Sequence, residues 1–487
     1  MGKRSVKWKT INTIIGLCVM IGFPLLPAPD PITPMGLAVI GAFLGMVYLW
    51  STVDSIWPSL LGVIMIGLSG YTGEGAQGLT VAFAQAFGAS TVLIVLLSII
   101  LFGAIEYFGC AQYISQWLLT RKVINGRPYV FIFIYLFTSY ILSALIGPVA
   151  AIMILWAVAV EILMALEIEK GDSLYPIFII GTFLGATIGH PLLPFKSAVL
   201  MITGTFTKLT GTTIEYMPYI VFSFVTSILL LLLFLGLIKV LYRPDLTKIR
   251  HINVEYFKKK PLAPMNKIQK FYMILLLVYV LALLLPSVLP QNVPGITFLN
   301  TLGTLGVTGI AVIIASIAHF DGKPALPFKQ VAAKEMAWGV YFMIAAALFG
   351  ANAIASDEVG AKVFLIQKLS PILGGHSEIV FAFILFTIAL IITNFANNAA
   401  MAVVLMPIIV TFCEQMGVSP IPCAMGVSMM VFVAMLTPAA SPHSSMLHGR
   451  KDLVSTGDIM RIGIPISVGA VLLYTIIGYP LAKILFL

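Results

Sequence analysis

Residues 392–407 read ITNFANNAAMAVVLMP, a mostly apolar run that carries three asparagines, Asn394, Asn397 and Asn398. An amide left without partners in hydrocarbon costs on the order of several kcal/mol, so these side chains must bond to something. Asn397-Asn398-Ala399 divides two apolar arms of similar length, 379–394 and 400–413. The stretch therefore reads as a re-entrant hairpin with its tip at 397–399. Asparagine suits such a tip because it carries both a donor and an acceptor, which can serve the exposed backbone or a ligand. Asn394 is read as bonding backbone or neighbouring helices, and Asn397 and Asn398 as contacting a ligand.

The surrounding chain supports a membrane setting. Of its 487 residues, 60% are hydrophobic and 10% charged, with a mean hydropathy of +1.05, too little polar surface for a water-soluble globule of this size. Simple crossings are expected near 11–27, 34–50, 56–70, 90–108, 218–241, 271–288, 300–318, 337–354 and 463–486. The basic start MGKRSVKWK followed by an apolar run is expected to be a retained first helix. Short alternating strands, the sign of a β-barrel, are absent from the sequence.

Two long apolar blocks, 129–206 and 379–448, are each interrupted twice by polar, Gly or Pro residues. If each is a hairpin followed by one broken crossing helix, the chain makes eleven crossings. With a cytoplasmic N-terminus, only Lys208, Lys362, Lys368 and Lys483 of the 28 Lys and Arg then fall outside, and Lys196 lies within the membrane. This balance obeys the positive-inside rule. The charge of +9 is a topology signal and predicts no nucleic-acid partner, because the basic residues form no aromatic-interleaved patch. Cys18, Cys110, Cys413 and Cys423 lack ligand spacing and read as buried small hydrophobes. His443 and His448, five apart and without a carboxylate, do not suggest a metal pair.

The blocks also repeat each other. LFGA recurs at 101–104 and 348–351, IGPVAA at 146–151 aligns with ANNAAM at 396–401, and GHPLLP at 189–194 with ASPHSS at 440–445. Five crossings separate the matched helices, so the halves have opposite orientations. Inverted repeats with broken helices mark secondary transporters, whose sites lie where the breaks converge near the midplane.

The breaks supply the candidate residues. The first hairpin tip is Gly147-Pro148-Val149 and its paired break Gly189-His190-Pro191-Leu192-Leu193-Pro194, with Lys196 just beyond. Lys196 draws an anion, replaces a metal cation with a fixed charge, or snorkels to the surface. His190 is either a proton carrier or a structural histidine. In the second break, 436–446, Thr437, Ser441, Pro442, His443, Ser444 and Ser445 gather in apolar surroundings. Their hydroxyls either bind an anion or replace backbone bonds that proline removes. Glu106 and Glu161 are expected at solvated helix ends.

In FANNAAMAVVLMPI, MLTPAASPHSSMLHGRKDLVSTGDIMRIGI and FGAIEYFGCAQYISQWLL, the chain resembles the divalent anion/sodium symporter family of the ion-transporter superfamily over almost its whole length. Where that family has Ser-Asn-Thr at both tips, this chain has Gly147-Pro148-Val149 and Asn397-Asn398-Ala399. His190 and Leu193 stand for its Thr and Asn in the first break, and Ser441-Pro442-His443 for Thr-Pro-Pro in the second. The resemblance implies an all-α homodimer of eleven-helix protomers with two re-entrant hairpins. Scaffold regions would cover 1–89, 218–336 and the final helix 463–487, and elevator-type transport regions 90–217 and 337–462.

The function expected is secondary transport of a small anion, an organic di- or tricarboxylate, across the cell membrane, coupled to sodium, protons or counter-anion exchange. The substrate contacts are expected at Gly147, Pro148, His190, Pro191, Lys196, Asn397, Asn398, Ser441, Pro442 and His443. The resemblance places a sodium ion at Asn397, Asn398, Thr437 and Ala440, with no other cofactor. Another solute on the same fold, a channel and a membrane enzyme are the alternatives; an enzyme would need a nucleophile with a base, or a carboxylate pair, and the breaks hold hydroxyls and histidines but no acidic residue, which counts against it.

Overall fold

The computed structural model is helical apart from one antiparallel ribbon, His319–Phe320 paired with Lys323–Pro324. It describes residues 3–487 except 111–112, 114–116, 121–122, 124, 170, 252–263, 291, 337, 362, 365–366, 369–374, 396–397 and 439. Asn397, and Arg121, Lys122, Lys170, Lys258, Lys259, Lys260 and Lys362 of the charge count, lie outside the described residues.

Among the described residues, ten helices are long and apolar enough to cross a membrane. The chain is an all-α polytopic membrane protein. Most expected crossings fall where the hydropathy placed them, but residues 56–70 form only the 12-residue helix Trp57–Leu68, which Gly75–Phe87 follows after a turn. At the other end a π-helical turn, Tyr474–Gly478, lets the last span run on as one 31-residue unit. Local chemistry sets several starts. Thr33 Oγ1 accepts from Gly36 N at 3.0 Å ahead of a Pro at the first helical position, and Asn266 with Gln269 and Ser455 with Asp458 close capping boxes.

Both interrupted blocks fold as helix, break, helix, broken helix. The first hairpin has an entering arm, Pro128–Ile146, and a returning arm, Pro148–Ala165. The second has Glu378–Thr393 and Asn398–Met416, each beginning 250 residues after its counterpart. Length alone would class the 19-residue arm Pro128–Ile146 as a crossing, so its re-entrant reading rests on the repeat and the charges. The broken helices are Leu174–Gly189, continued by Ser197–Thr210, and Ile421–Met430, continued by Pro442–Gly449.

Packing repeats with the sequence. Ser197–Thr210 packs on the second hairpin's returning arm, and Pro442–Gly449 on the first hairpin's. Gly185 and Gly189 let the broken helix close on the entering arm, since a Cβ there would lie 2.7 Å from Leu136 O and 2.1 Å from Tyr140 O. Two apolar cores result: a large one around both hairpins, and a smaller one joining Ser90–Tyr107, Lys267–Val288 and Ile296–Ile317.

Candidate functional site

At the first tip the chain turns at Gly147, whose φ of 89° is open to glycine at little cost, and Pro148 then opens the returning arm. The second tip is built around amides. Asn394 Nδ2 donates to Leu390 O at 2.7 Å, its Oδ1 accepts from Leu436 N at 2.8 Å, and its carbonyl takes the Thr437 hydroxyl. Asn394 thus staples the hairpin to the second break, as its structural reading expected. Asn398 N donates to Ala440 O at 3.1 Å, and Asn398 Oδ1 accepts from the Thr393 hydroxyl at 2.9 Å. That bond orients the amide and leaves Nδ2 buried with no protein partner.

The serines of the second break serve the backbone. Ser441 caps Pro442–Gly449, its Oγ accepting from Ser444 N at 3.1 Å. Ser444 Oγ reaches Ala434 O at 3.3 Å, Ser445 Oγ reaches Pro438 O at 2.5 Å, and His448 Nε2 lies 3.0 Å from Met435 O. Of the two readings open for these hydroxyls, replacement of lost backbone bonds is the one observed. The cation candidates Thr437 and Ala440 both present oxygens already engaged, with Asn394 O and Asn398 N.

The first break is satisfied from outside. Tyr219 donates to Pro191 O at 2.8 Å, with Ser223 at 3.4 Å from the same oxygen and Ser227 at 3.4 Å from Ile188 O. These three recur every fourth residue on the apolar helix Tyr216–Leu237, a polar stripe that periodicity alone could have flagged. Thr393, inside the opening stretch, was also missed; a hydroxyl five residues before a buried amide was its only signal.

Lys196 does not snorkel. It is 6% exposed, and its Nζ donates inward to Leu145 O at 2.9 Å and stands 4.4 Å from the centre of the Phe102 ring. Its neighbour Phe195 leaves the large core for the smaller one, against Phe102 and Tyr279 at 6.1 and 5.2 Å. Glu106, expected in solvent, is half-buried and faces Lys196, Lys334 and Glu335, whereas Glu161 is exposed as expected.

The two breaks converge through their histidines. His190 packs on Phe432, just before the second break, and His443 on Phe183, before the first, both at 5.7 Å. Four buried side-chain atoms without a protein partner belong to the interruptions or their flanks: Ser143 Oγ four residues before Gly147, His190 Nδ1 in the first break, Asn398 Nδ2 at the start of the second returning arm and His443 Nε2 in the second break. Gly147, Pro148, Pro191 and Pro442 add no polar side chain; Pro191 is buried, Gly147 and Pro148 are half-buried, and Pro442 is exposed. Among the described residues no cluster of three or more His, Cys, Asp or Glu is placed to hold a metal ion.

Comparison with known proteins agrees with this architecture. The family model for the sodium:sulfate symporter transmembrane region matches residues 7–487. The uncharacterized transporter YfbS of Escherichia coli K12 is 32% identical over 116 residues, which are 24% of this chain and 19% of that protein. The sodium-dependent dicarboxylate transporter SdcS of Staphylococcus saprophyticus is 21% identical across 96% of this chain and 90% of its own. The crystal structure of the Alcanivorax borkumensis YdaH transporter, described as having an unusual topology, superposes with a TM-score of 0.56 over 92% of this chain and 98% of that one. At 15% identity that is a likeness of fold.

Proposed function

The chain belongs to the sodium:sulfate symporter family and is a membrane transporter, and from that premise we propose that it carries an organic di- or tricarboxylate by alternating access. The observation that supports this reading is the crossing of the two breaks, where His190 packs on Phe432 and His443 on Phe183, together with the buried polar atoms that Ser143, His190, Asn398 and His443 leave without a protein partner. Each orphaned polar group costs about 1–3 kcal/mol, and a solute rich in acceptor oxygens offsets that cost at all of them together. Hydroxyl, imidazole and amide N–H groups suit carboxylate oxygens, and the returning arms begin at the tips, so their positive dipole ends favour an anion. The breadth of the likeness to a dicarboxylate transporter favours carboxylate over sulfate.

In this scheme the coupling cation sits at Asn397 and at Asn398, Thr437 and Ala440, whose oxygens must exchange their bonds with Thr393, Asn394 and the Asn398 N–H for the ion, while counter-anion exchange and proton coupling are the competing modes. The hairpins and broken helices move as an elevator between 1–89, 218–336 and 463–487, in a homodimer with cytoplasmic N-termini. The test is thermal unfolding of the purified full chain with succinate, citrate or sulfate, each with sodium or choline. A ligand of the folded state present at a hundred times its Kd adds about 2.7 kcal/mol, a readily measured shift. Stabilisation by succinate or citrate is expected; stabilisation by sulfate alone would replace the carboxylate, and none by any anion would remove the reading.

A further inference from the structure

The two halves handle charge differently. The entering arm of the first hairpin ends at Ile146, and its last carbonyls form the negative end of the helix dipole at membrane depth. In broken-helix transporters such C-terminal ends attract the coupling cation. Here Lys196 Nζ already occupies that position, 2.9 Å from Leu145 O, with the Phe102 ring on another side. Gly147, Pro148 and Val149 add no side-chain oxygen or nitrogen with which a metal ion could compete.

The second half is built the other way. Lys196 precedes the helix Ser197–Thr210, and the residue that precedes its counterpart Pro442–Gly449 is Ser441, which is uncharged. The amide of Asn398 supplies the polarity there, and its tip carries no basic residue among those described.

We infer that Lys196 is a resident cation: the first half carries its positive charge covalently, takes up no exchangeable ion, and leaves any coupled cation to the second half. This rests on the transporter reading of the site. The charged and titratable groups around the ammonium are Glu106 on Ser90–Tyr107, with Lys334 and Glu335 beyond it, and His190 in the first break. Glu106 and Glu335 are the carboxylates among them. Burying an ammonium is expensive unless it is paired or hydrogen-bonded, so its stem packing alone does not explain its retention.

The test uses the full chain in detergent or nanodiscs without any transported anion, so it does not depend on the solute proposed above. Lys196→Arg should unfold near the wild-type temperature. Lys196→Met, which keeps the stem, and Lys196→Ala should both unfold lower, by about 3 °C or more. Millimolar methylammonium should restore at least half of the loss in Lys196→Ala, where the stem's volume is free, and choline should not. Wild-type stability in Lys196→Met, or a loss in Lys196→Ala that methylammonium leaves unchanged, overturns the resident charge. Radiolabelled sodium binding to the wild type should not exceed a single ion per protomer and should vanish in Asn398→Ala. Two ions per protomer overturn the inference, whereas none agrees with it and removes sodium coupling from the function proposed above.

Discussion

His190 stands edge-on to Phe432, with 5.7 Å between ring centroids and 70° between planes. His443 and Phe183 repeat the contact from the other half at 5.7 Å and 44°. Each break thus lays its histidine on an aromatic of the other repeat, and the two interruptions pack against each other. Replacing Phe432 by Leu keeps most of the volume but removes the ring. Apparent affinity for the stabilising anion should fall about threefold to tenfold, while the protein still inserts and unfolds cooperatively, since an aromatic contact of this kind is worth about 0.5–1.5 kcal/mol. Unchanged affinity would mean that the ring packs without positioning His190.

Asn398 offers a stronger test. Its Oδ1 is held by Thr393 and its Nδ2 is free within the site. Asn398→Ala removes that donor, and uptake into proteoliposomes should be abolished with normal membrane insertion. Asn398→Asp should fail as well, because a carboxylate would repel an anion at the same place. Normal transport by the alanine variant would move the site elsewhere.

Thr393 should act through Asn398. Thr393→Val deletes the 2.9 Å bond that sets the amide's direction, a loss of about 1 kcal/mol. Apparent affinity for the stabilising anion should drop about fivefold, and Thr393→Ser should restore it. If the serine variant is as weak as the valine one, the methyl group and not the hydroxyl is what matters.

Much of this arrangement was legible before any coordinates. The paired blocks, Asn398 and the convergence of His190 with His443 follow from polar residues placed where hydrocarbon penalises them. What escaped was partner identity. Lys196 was recognisable as a charge in the membrane, yet its target is a carbonyl 51 residues away, and only tertiary structure separates that from snorkelling. Ser441, Ser444 and Ser445 were equally ambiguous, because a hydroxyl that binds an anion and one that replaces a backbone bond have the same sequence. Tyr219, Ser223 and Ser227 lay on a helix assigned wholly to spanning. The shortfall of Trp57–Leu68 has another cause: Ser69 and Gly70, counted within the span, form a turn with Gly70 at a φ of 89°.

The close approach at Gly189 gives a test of the scaffold that is independent of the solute. A Cβ at this position would sit 2.1 Å from Tyr140 O, a backbone atom that cannot swing away. Gly189→Ala must therefore push the broken helix off the entering arm and shift His190, the next residue, with it. At Gly147 the same substitution meets open space and pays only for its backbone, whose φ of 89° and ψ of 163° fall in a region nearly reserved for glycine, about 1–3 kcal/mol. Gly189→Ala should accordingly unfold at a clearly lower temperature than Gly147→Ala and lose anion-induced stabilisation. Equal unfolding temperatures for the two variants would show that the helix and the arm can separate freely, which would contradict the tight seam on which the position of His190 depends.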